Sequence, residues 1–228
     1  MARAALDCWQ RQDYQNRELI VVDDKGLPSF PEGLIADRVH YRMIDRGTMT
    51  LGAKRNLVCS LASGELIAHF DSDDFSTPDR ISDQVKRLQE TGMPVTGYGT
   101  LLFWDILRNQ AKRYHAATKG YVCGTTLCYL KSFWQGHQFP NKQVASDNNF
   151  VYPILRQIAA SDDTTHMVAR IHGDHTSKKN GINKVVAKEL IPKAFWANED
   201  FRIRAENLAC FGCQSAEYTN PDLKGMRN

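Results

Sequence analysis

The sequence predicts an α/β fold, with a mixed and mostly parallel sheet that is covered by helices on both faces. Two short apolar runs, at 19–22 and 66–70, have the length of buried strands, and both stop at acidic residues. Segments with helical spacing follow them at 53–63 and 78–91. Strands and helices that alternate in this order form α/β sheets.

Local signals predict each element of the first half of the chain. The first helix is predicted over 1–16, because Ala5, Leu6 and Trp9 fall on one helical face. Glycine, proline and capping residues mark where the later elements begin and end. The remaining elements of this half are an edge strand at 38–44, a helix at 53–63 that Gly64 ends, and a helix that starts at 76–79 and ends at 91–92.

Strand signals dominate the second half of the chain. The stretch 95–130 is rich in Tyr, Phe, Trp, Val and Thr and is interrupted by glycines, which predicts several strands. The elements predicted after it are an aromatic loop at 133–140, a helix capped by Ser146 or Asp147 that runs to 158, a strand at 165–172, a polar loop at 173–183 and a helix from 184 to about 208. No repeat or clear linker interrupts the pattern, so we expect a single domain over 1–228.

The composition excludes some classes of function. The chain has 228 residues, of which 42% are apolar and 24% charged, as in ordinary globular domains. A formal net charge of +3 is too small to indicate nucleic-acid binding. No apolar run has the length of a transmembrane segment, and the N-terminus lacks a secretory signal pattern. We therefore expect a cytoplasmic protein without a transmembrane segment, for which peripheral association with a membrane stays open.

Three carboxylates stand immediately after the second apolar run, at Asp71, Asp73 and Asp74. Open α/β sheets bind ligands in the crevice beyond the carboxyl ends of their strands. Carboxylates this close together repel one another unless a cation lies between them, and hard oxygen ligands suit Mg²⁺ or Mn²⁺. The alternative is a solvated acidic turn that caps the next helix. The residues alone leave both interpretations open.

Six short motifs occur in an order that is similar to one protein family. They are Gln12-x-Tyr14-x-Asn16-x-Glu18-Leu-Ile-Val-Val-Asp-Asp24, Gly52-Ala-Lys-Arg-Asn56, Ala62-Ser-Gly-Glu-Leu-Ile67, Asp71-Ser-Asp-Asp74 with Pro78-Asp-Arg80, Ser146-Asp-Asn-Asn-Phe150, and Arg170-Ile-His172-Gly-Asp-His-Thr-Ser177. Over roughly residues 1–180, the chain resembles the family 2 glycosyltransferases of the GT-A fold. That fold is a Rossmann-like α/β sheet.

The resemblance implies an enzyme that moves a sugar from a nucleotide-diphosphate sugar, in particular a uridine one, to a hydroxyl acceptor such as a glycan. It implies dependence on Mn²⁺ or Mg²⁺, inversion at the anomeric carbon, and a setting in the assembly of lipid-linked or surface polysaccharide. On this basis 1–95 would be the nucleotide-sugar-binding half, 96–180 the acceptor and catalytic half, and 181–228 a helical C-terminal extension.

The resemblance also assigns residues to the donor and to the metal. Asp23 and Asp24 would read the nucleoside base and ribose, Arg55 would approach the nucleotide, and Asp71 would serve both the donor and the cation. Asp73 would be the principal metal ligand. His172 would complete the metal shell or touch the diphosphate. Asp74 either ligates the metal or caps the helix that follows, and Lys54 is expected to be solvated.

Asp147 is the predicted general base, because an acceptor hydroxyl must lose its proton as it attacks and a nearby carboxylate can accept it. Ser146 precedes it where the family more often has Glu. The other interpretation of Ser146 and Asp147 is a helix cap, which is compatible with a role as base. Phe133 and Trp134 would either stack on an acceptor sugar or pack in the core.

The sequence departs from the family pattern at its beginning. The family starts with an apolar strand in the centre of the sheet, whereas Met1 falls inside the predicted first helix, so we expect that strand to be missing. Three explanations are open. The chain is a fragment or has a misplaced start, another segment fills the gap, or the protein is a shortened form that no longer catalyses. The alternative function is therefore a truncated, non-catalytic remnant that binds nucleotide sugars. A nucleotidyltransferase is less favoured, because no glycine-rich phosphate loop occurs near the N-terminus.

Overall fold

A computed structural model describes residues 2–24, 38–172, 182 and 184–198, and the strands in this part form three sheets. The two-stranded sheet consists of β1 (Leu19–Asp23) and β2 (Val39–Met43). The four-stranded sheet has the order β3 (Leu66–Ala68), β8 (Cys128–Leu130), β5 (Val95–Tyr98), β9 (Ile158–Ser161). The five-stranded sheet has the order β11 (Lys184–Val186), β7 (Gln110–His115), β6 (Thr100–Asp105), β10 (Met167–Ile171), β4 (Phe75–Ser76).

Both strand directions occur, as predicted for a mixed sheet in an α/β fold, but antiparallel pairs outnumber parallel ones in the described part of the chain, so the prediction of a mostly parallel sheet is wrong there. Three pairs are parallel, namely β1–β2, β5–β9 and β6–β10. The other five pairs among the described strands are antiparallel. One of these is the β6–β7 hairpin, in which Asn109 adopts φ 52° in the tight connection. The strand-rich stretch after 95 thus supplies most of the antiparallel pairing.

The first helix is shorter than predicted. It spans Ala2–Gln10 (α1) and not 1–16. Its last carbonyls are satisfied by the Arg17 side chain, whose Nε donates to the carbonyl of Trp9 (3.2 Å) and whose Nη2 donates to that of Gln10 (2.9 Å). A side chain that caps the C-terminal carbonyls ends a helix without glycine, so the sequence pattern carried no stop signal.

Two helices of the first half lie within two residues of their predicted bounds. The helix α2 spans Leu51–Leu61, and the Thr50 hydroxyl caps it by accepting from the backbone N–H of Ala53 (3.2 Å). The helix α3 spans Arg80–Thr91 and ends at Gly92, which adopts the left-handed conformation with φ 64°. Both lead into or out of the strands that carry the acidic residues.

The second half contains three corrections. The predicted aromatic loop holds the short helix α4 (Lys131–Gly136). The helix predicted from a Ser146 or Asp147 cap to 158 is instead α5 (Ser146–Val151) and a 3₁₀ turn, and Ala145, with φ 59°, occupies the cap position. The helix predicted from 184 begins as strand β11, because pairing with β7 overrides local propensity.

The chain then continues through a 3₁₀ turn at Lys188–Leu190 to the helix α6 (Lys193–Trp196). Residues 199–228 of the predicted C-terminal extension lie outside the described residues. The division of the domain into two halves and an extension stays a prediction.

Four buried clusters pack against the sheets in the described part of the chain, and two of them are larger than the other two. One lies between the four-stranded sheet and helices α2 and α5, where the ring of Phe150 stacks on that of Phe139 with centroids 4.2 Å apart. The other covers the five-stranded sheet and includes Phe75, Trp104 and Phe195. Aromatic side chains of this size dominate the energy of burial. The loop of acidic residues between β3 and β4 connects the two cores.

Candidate functional site

The three acidic residues after β3 lie close together. Carboxylate oxygens of Asp71, Asp73 and Asp74 are all within 4.8 Å of one another. Asp74 is buried, whereas Asp71 and Asp73 are half-buried. Three oxygen donors at this separation fit a hard divalent cation. The structure therefore brings together the acids that the sequence singled out.

A buried arginine, Arg80, forms hydrogen bonds to the backbone near the acidic residues. Arg80 is fully buried, and its Nη2 donates to the carbonyl oxygens of His69 (2.6 Å) and Thr125 (3.2 Å). Burial lowers the pKa of Arg80, but a guanidinium remains protonated at neutral pH. It therefore places a fixed positive charge beneath the acids. The sequence contained Arg80 in a motif but gave no sign of this role, because its partners are distant in sequence.

His172 and Asp73 form one unit. The Nε2 of His172 is 2.8 Å from the Oδ2 of Asp73, and the imidazole is buried. Burial alone would raise the pKa of Asp73, but the hydrogen bond and charge of His172 and the charge of Arg170 lower it below its ordinary value. Arg170 Nε also donates to the backbone carbonyl of Asp73. The carboxylate of Asp73 is thus ionised at neutral pH and held in one orientation.

Asp74 is held by the protein on both oxygens. Its Oδ2 accepts from the hydroxyl of Thr125 (2.6 Å), and its Oδ1 accepts from the backbone N–H of Arg170 (3.2 Å). It does not cap α3, where Asp79 stands at the cap position. Of the two roles predicted for Asp74, the helix cap is wrong, and metal ligation stays a prediction. The two hydrogen bonds show a structural role that the sequence did not indicate.

His69 lies just before the acids at the end of β3 and was missed at the level of sequence. Its Nε2 is 2.9 Å from the hydroxyl of Tyr129. Burial, together with the charges of Arg55 and Arg80, lowers the pKa of His69 well below its ordinary value. The imidazole is therefore neutral at pH 7 and serves as a hydrogen-bonding group.

A cavity of about 800 Å³ opens beside these acids. Residues of β1 and β3 and of the helices α1, α2 and α3 line it. Polar side chains line the end at which β1 and β3 finish: Asp24, Lys54, Arg55, Asp71 and Ser72. The remainder is mainly apolar. A cavity of this size that lies at strand carboxyl ends is typical of ligand sites in α/β folds.

The two acids after β1 have different surroundings. Asp24 lines the cavity and pairs with Lys54, whose Nζ is 2.6 Å from its Oδ2. The prediction that Lys54 is solvated is therefore wrong, because Asp24 draws its ammonium group to the cavity. Asp23 is buried and accepts a hydrogen bond from the Tyr41 hydroxyl of β2 (3.0 Å). Asp23 thus lies against β2, outside the described lining of the cavity.

Arg55 connects the cavity to helix α5. Its Nη1 donates to the hydroxyl of Ser146 (2.9 Å), and its guanidinium lies 5.5 Å from the centre of the Phe139 ring. The neighbouring Asn56 accepts from Trp134 Nε1 and from the N–H of Phe139, both at 3.0 Å. Asn56 therefore braces the loop, as predicted, while Arg55 lies between the cavity and the segment that carries Asp147.

Asp147 lies in the first turn of α5 and packs against a glycine. A Cβ added to Gly124 would lie 2.3 Å from Asp147 Oδ2, so only glycine allows this approach. Within the described residues, no hydrogen bond to the Asp147 carboxylate is formed. The next residue, Thr125, donates to Asp74. The turn at Gly124–Thr126 thus connects the predicted base with the acidic cluster.

Phe133 and Trp134, which were predicted either to stack on an acceptor sugar or to pack in the core, pack in the core. Trp134 is buried, with its indole N–H satisfied by Asn56. Phe133 packs against His137 and Phe150, with ring centroids 5.5 Å and 6.4 Å away. These side chains support the site and do not face its cavity.

A cavity at the carboxyl ends of strands is the place where proteins of the α/β class bind their ligands. More specifically, the chain belongs to Glycosyl transferase family 2, whose family model matches residues 1–173. The resemblance proposed from the sequence motifs is thereby confirmed.

Two relatives illustrate the similarity. An uncharacterized glycosyltransferase of Haemophilus influenzae is 29% identical over 132 residues, which cover 56% of this chain and 49% of that protein. A protein of Escherichia coli K12, provisionally assigned as the colanic acid biosynthesis glycosyl transferase WcaA, is 37% identical over 87 residues, which cover 36% of this chain and 31% of that protein. The chain thus spans half or less of the length of these curated relatives.

Solved structures share the fold. Residues 1–349 of Staphylococcus aureus TarS in complex with UDP superpose with a TM-score of 0.58 at 16% identity, over 75% of this chain and 56% of that one. The same protein in complex with UDP-GlcNAc gives 0.55 at 17% identity, over 75% and 55%. At this identity the likeness shows the fold alone, and it confirms the predicted GT-A-like class. No helix in the described part of the chain is long and apolar enough to cross a membrane.

Proposed function

We propose that this chain transfers a sugar from a nucleotide-diphosphate sugar, in particular a UDP-sugar, to a hydroxyl acceptor. The observation that carries the proposal is the cluster of Asp71, Asp73 and Asp74, with oxygens within 4.8 Å, of which Asp71 lines the polar end of the cavity. Family membership and the binding of UDP and UDP-GlcNAc by TarS support it. The name of the Escherichia coli relative supports a glycan acceptor in polysaccharide assembly.

The acidic cluster fits a divalent cation, because its donors are all carboxylate oxygens and the cavity leaves room for a diphosphate. Asp71 and Asp73 would hold Mn²⁺ or Mg²⁺, with His172 completing the ligand set or fixing Asp73. The cation, when bound, stabilises the negative charge of the leaving diphosphate as a Lewis acid. The positive charge of Arg80 would offset part of the repulsion among the carboxylates in the absence of the ion.

The nucleoside would occupy the polar end of the cavity beyond β1. Asp24 can accept hydrogen bonds from ribose or base, and Lys54 and Arg55 can bind phosphate oxygens. Asp23 would contribute by orienting β1 and β2 through Tyr41, and its carboxylate reaches the donor only if that hydrogen bond opens. Breaking the Asp24–Lys54 pair on donor binding would free one charge of each sign for the nucleotide.

Asp147 would act as the general base. Its carboxylate is half-buried and has no hydrogen bond from the described residues, so it is free to accept a proton from an acceptor hydroxyl. The hydroxyl oxygen would attack the anomeric carbon as the bond to the diphosphate breaks on the opposite side. A single displacement of this kind inverts the configuration of that carbon.

One observation favours a second function, a non-catalytic protein that binds nucleotide sugars. The cavity continues between β1 and β3 into an apolar space that separates two sheets. A chain with this opening would keep the acidic cluster but would hold the two walls of the donor site less rigidly. The experiment below separates the two functions.

The test is release of UDP from UDP-sugars in the presence of Mn²⁺ and glycan acceptors, together with donor binding measured by calorimetry. Asp147→Asn should retain donor binding and lose turnover, while Glu90→Gln, at an exposed position of α3, should retain both. Turnover that survives in Asp147→Asn would exclude Asp147 as base. Donor binding without turnover in the unmodified chain would favour the non-catalytic function.

A further inference from the structure

The short turn at Gly124–Thr126 lies between the acidic cluster and the predicted base. Thr125 in this turn donates to Asp74 (2.6 Å), and Gly124 lies against the carboxylate of Asp147. A displacement of the turn would therefore move one of these acids or both. The contacts that fix the turn thus determine how accurately the base is placed relative to the cluster.

Helix α3 and strand β5 hold two of the three residues of the turn. The carbonyl of Thr125 accepts from Arg80 Nη2 (3.2 Å), and that of Thr126 accepts from Gln84 Nε2 (2.6 Å). The hydroxyl of Thr126 also accepts from the backbone N–H of Tyr98 (2.8 Å). The part of the turn that contacts Asp74 is therefore fixed by several direct hydrogen bonds.

Gly124, the residue that lies against Asp147, is held differently. Its carbonyl accepts from the backbone N–H of Leu127, but the distance of 3.4 Å is long for a hydrogen bond. The imidazole of His69 also forms a hydrogen bond with the backbone of Gly124. His69 thus supplies a contact from outside the turn at the residue that touches the predicted base.

The hydrogen bonds around His69 run in one direction. Its Nε2 is 2.9 Å from the hydroxyl of Tyr129, and that hydroxyl is 3.1 Å from Sγ of Cys59. Sulfur is a weak acceptor, so the hydroxyl donates to the imidazole and the thiol donates to the hydroxyl. Burial raises the pKa of both Tyr129 and Cys59, which keeps both groups protonated. A neutral imidazole that accepts at Nε2 carries its proton on Nδ1, and this assigns the donor to the Gly124 carbonyl.

Ring contacts fix the orientation of the imidazole. The ring centroid of His69 lies 5.5 Å from those of Tyr129 and Phe139. Phe139 stacks on Phe150 at 4.2 Å, and Tyr129 packs against the same ring at 5.4 Å. Phe150 follows Asp147 by about one helical turn in α5. The imidazole therefore packs against the aromatic core on which the helix of the predicted base lies.

We propose that His69 is a positioning residue for the general base, and that it acts by donating from Nδ1 to the carbonyl of Gly124. This inference rests on the proposed function, because its consequence is the placement of Asp147 for proton transfer. The hydroxyl of Tyr129 selects the tautomer of His69 and so acts one step further away. Loss of the Nδ1 donor should lower turnover without a matching loss of donor binding.

Two substitutions separate the two nitrogens of His69. The amide nitrogen of Asn can replace Nδ1, so His69→Asn retains a donor to Gly124, whereas the amide oxygen of Gln can replace Nε2, so His69→Gln retains only the partner of Tyr129. Each variant leaves a buried polar group unpaired, so both should lower the melting temperature. The kcat should stay within about threefold in His69→Asn and fall by roughly tenfold or more in His69→Gln. Donor affinity in the presence of Mn²⁺, measured by calorimetry, should change little in either variant.

Tyr129→Phe is a second test, at a residue outside the described lining of the cavity. It keeps the ring but removes the hydroxyl, so the imidazole is no longer held with its proton on Nδ1. The kcat should therefore fall while donor affinity is retained. His69 itself lines the cavity. If it acted only by touching the donor, Tyr129→Phe would leave kcat unchanged, and that result would overturn the proposal.

Ile191→Ala is the control for lost stability. Ile191 is buried in the cluster that covers the five-stranded sheet. Its truncation should lower the melting temperature, because it leaves a cavity in the core, and should retain kcat. A loss of kcat in this variant as large as in His69→Gln would mean that turnover follows stability alone, which would also overturn the proposal.

Nuclear magnetic resonance gives a readout that does not depend on turnover. Long-range proton–nitrogen correlation spectra show which ring nitrogen of His69 carries the proton. The amide signals of Gly124 and Asp147 should shift in His69→Gln and much less in His69→Asn. A proton on Nε2 in the unmodified chain, or equal kcat in the two His69 variants, would overturn the proposal. Donor binding without turnover in the unmodified chain would instead reject the proposed function, and the spectra would then decide whether His69 holds Gly124.

Discussion

Gly124→Ala is the sharpest single perturbation of the candidate site. A Cβ at this position would lie 2.3 Å from Oδ2, 2.4 Å from Cβ and 2.7 Å from Cγ of Asp147. Because the Cβ of Asp147 is itself in the way, rotation of its side chain cannot relieve the overlap. The first turn of α5 must move away from Gly124 by about 1 Å to restore ordinary contact, a shift of the size that disrupts catalytic geometry.

The expected losses of stability and of turnover follow from two effects. Forcing one methyl group into a packed contact destabilises a protein by about 1–3 kcal/mol. Displacing a catalytic group by about 1 Å reduces turnover by roughly a hundredfold. Donor binding should change little, because Gly124 does not line the described cavity. The expected pattern is therefore a large loss of turnover with donor affinity retained.

The assay compares kcat, donor affinity and the free energy of unfolding in urea for Gly124→Ala and for Gly136→Ala. Gly136 is the matched control, since a Cβ there would meet nothing within 4 Å. Unchanged turnover in Gly124→Ala, with the fold intact, would refute the inference that Asp147 acts from its position against Gly124.

Three further predictions concern groups around the site and the sheet. Thr125→Val removes a hydrogen bond to the buried Asp74 carboxylate and should lower the free energy of unfolding in urea by about 1.5–3 kcal/mol. Arg80→Met removes a buried guanidinium and its hydrogen bonds to the carbonyl oxygens of His69 and Thr125, and it should cost about 3–5 kcal/mol in the same measurement. Burial would raise the pKa of Asp105, but Lys112 and its other partners lower it below its ordinary value. The ionised carboxylate therefore stabilises the fold above roughly pH 4, its unfolded pKa. This stabilisation is lost as the pH falls below that value. Acid unfolding of Lys112→Met, followed by circular dichroism, should show a smaller loss of stability across that range.

Much of the fold could be predicted because its signals are local. The apolar runs before Asp23 and Asp71 gave both strands, and Gly92 marked the end of α3 at the residue observed. The end of α1 could not be predicted, because the capping group is the side chain of Arg17. Strand β11 could not be predicted either, since its pairing with β7 is a contact between distant segments.

Some residues of the candidate site could likewise be predicted from the sequence, and others could not. Asp71, Asp73 and Asp74 are neighbours in sequence, so their proximity could be inferred directly. His172 joined them only through the family resemblance, and the structure places it 2.8 Å from Asp73. Arg80, Thr125 and Gly124 were missed as parts of the site, because their roles depend on contacts across many residues of sequence. Residues that support a site from distant segments leave no pattern along the chain.

The central claim is that the acidic cluster couples a divalent cation to a nucleotide diphosphate, and calorimetry of UDP binding with and without Mn²⁺ tests it most directly. In the unmodified chain, Mn²⁺ should tighten UDP binding by roughly tenfold or more. Asp73→Asn should abolish that gain, whereas Glu90→Gln, with the same change of charge on an exposed face, should retain it. UDP binding that is indifferent to both Mn²⁺ and Asp73 would contradict the claim.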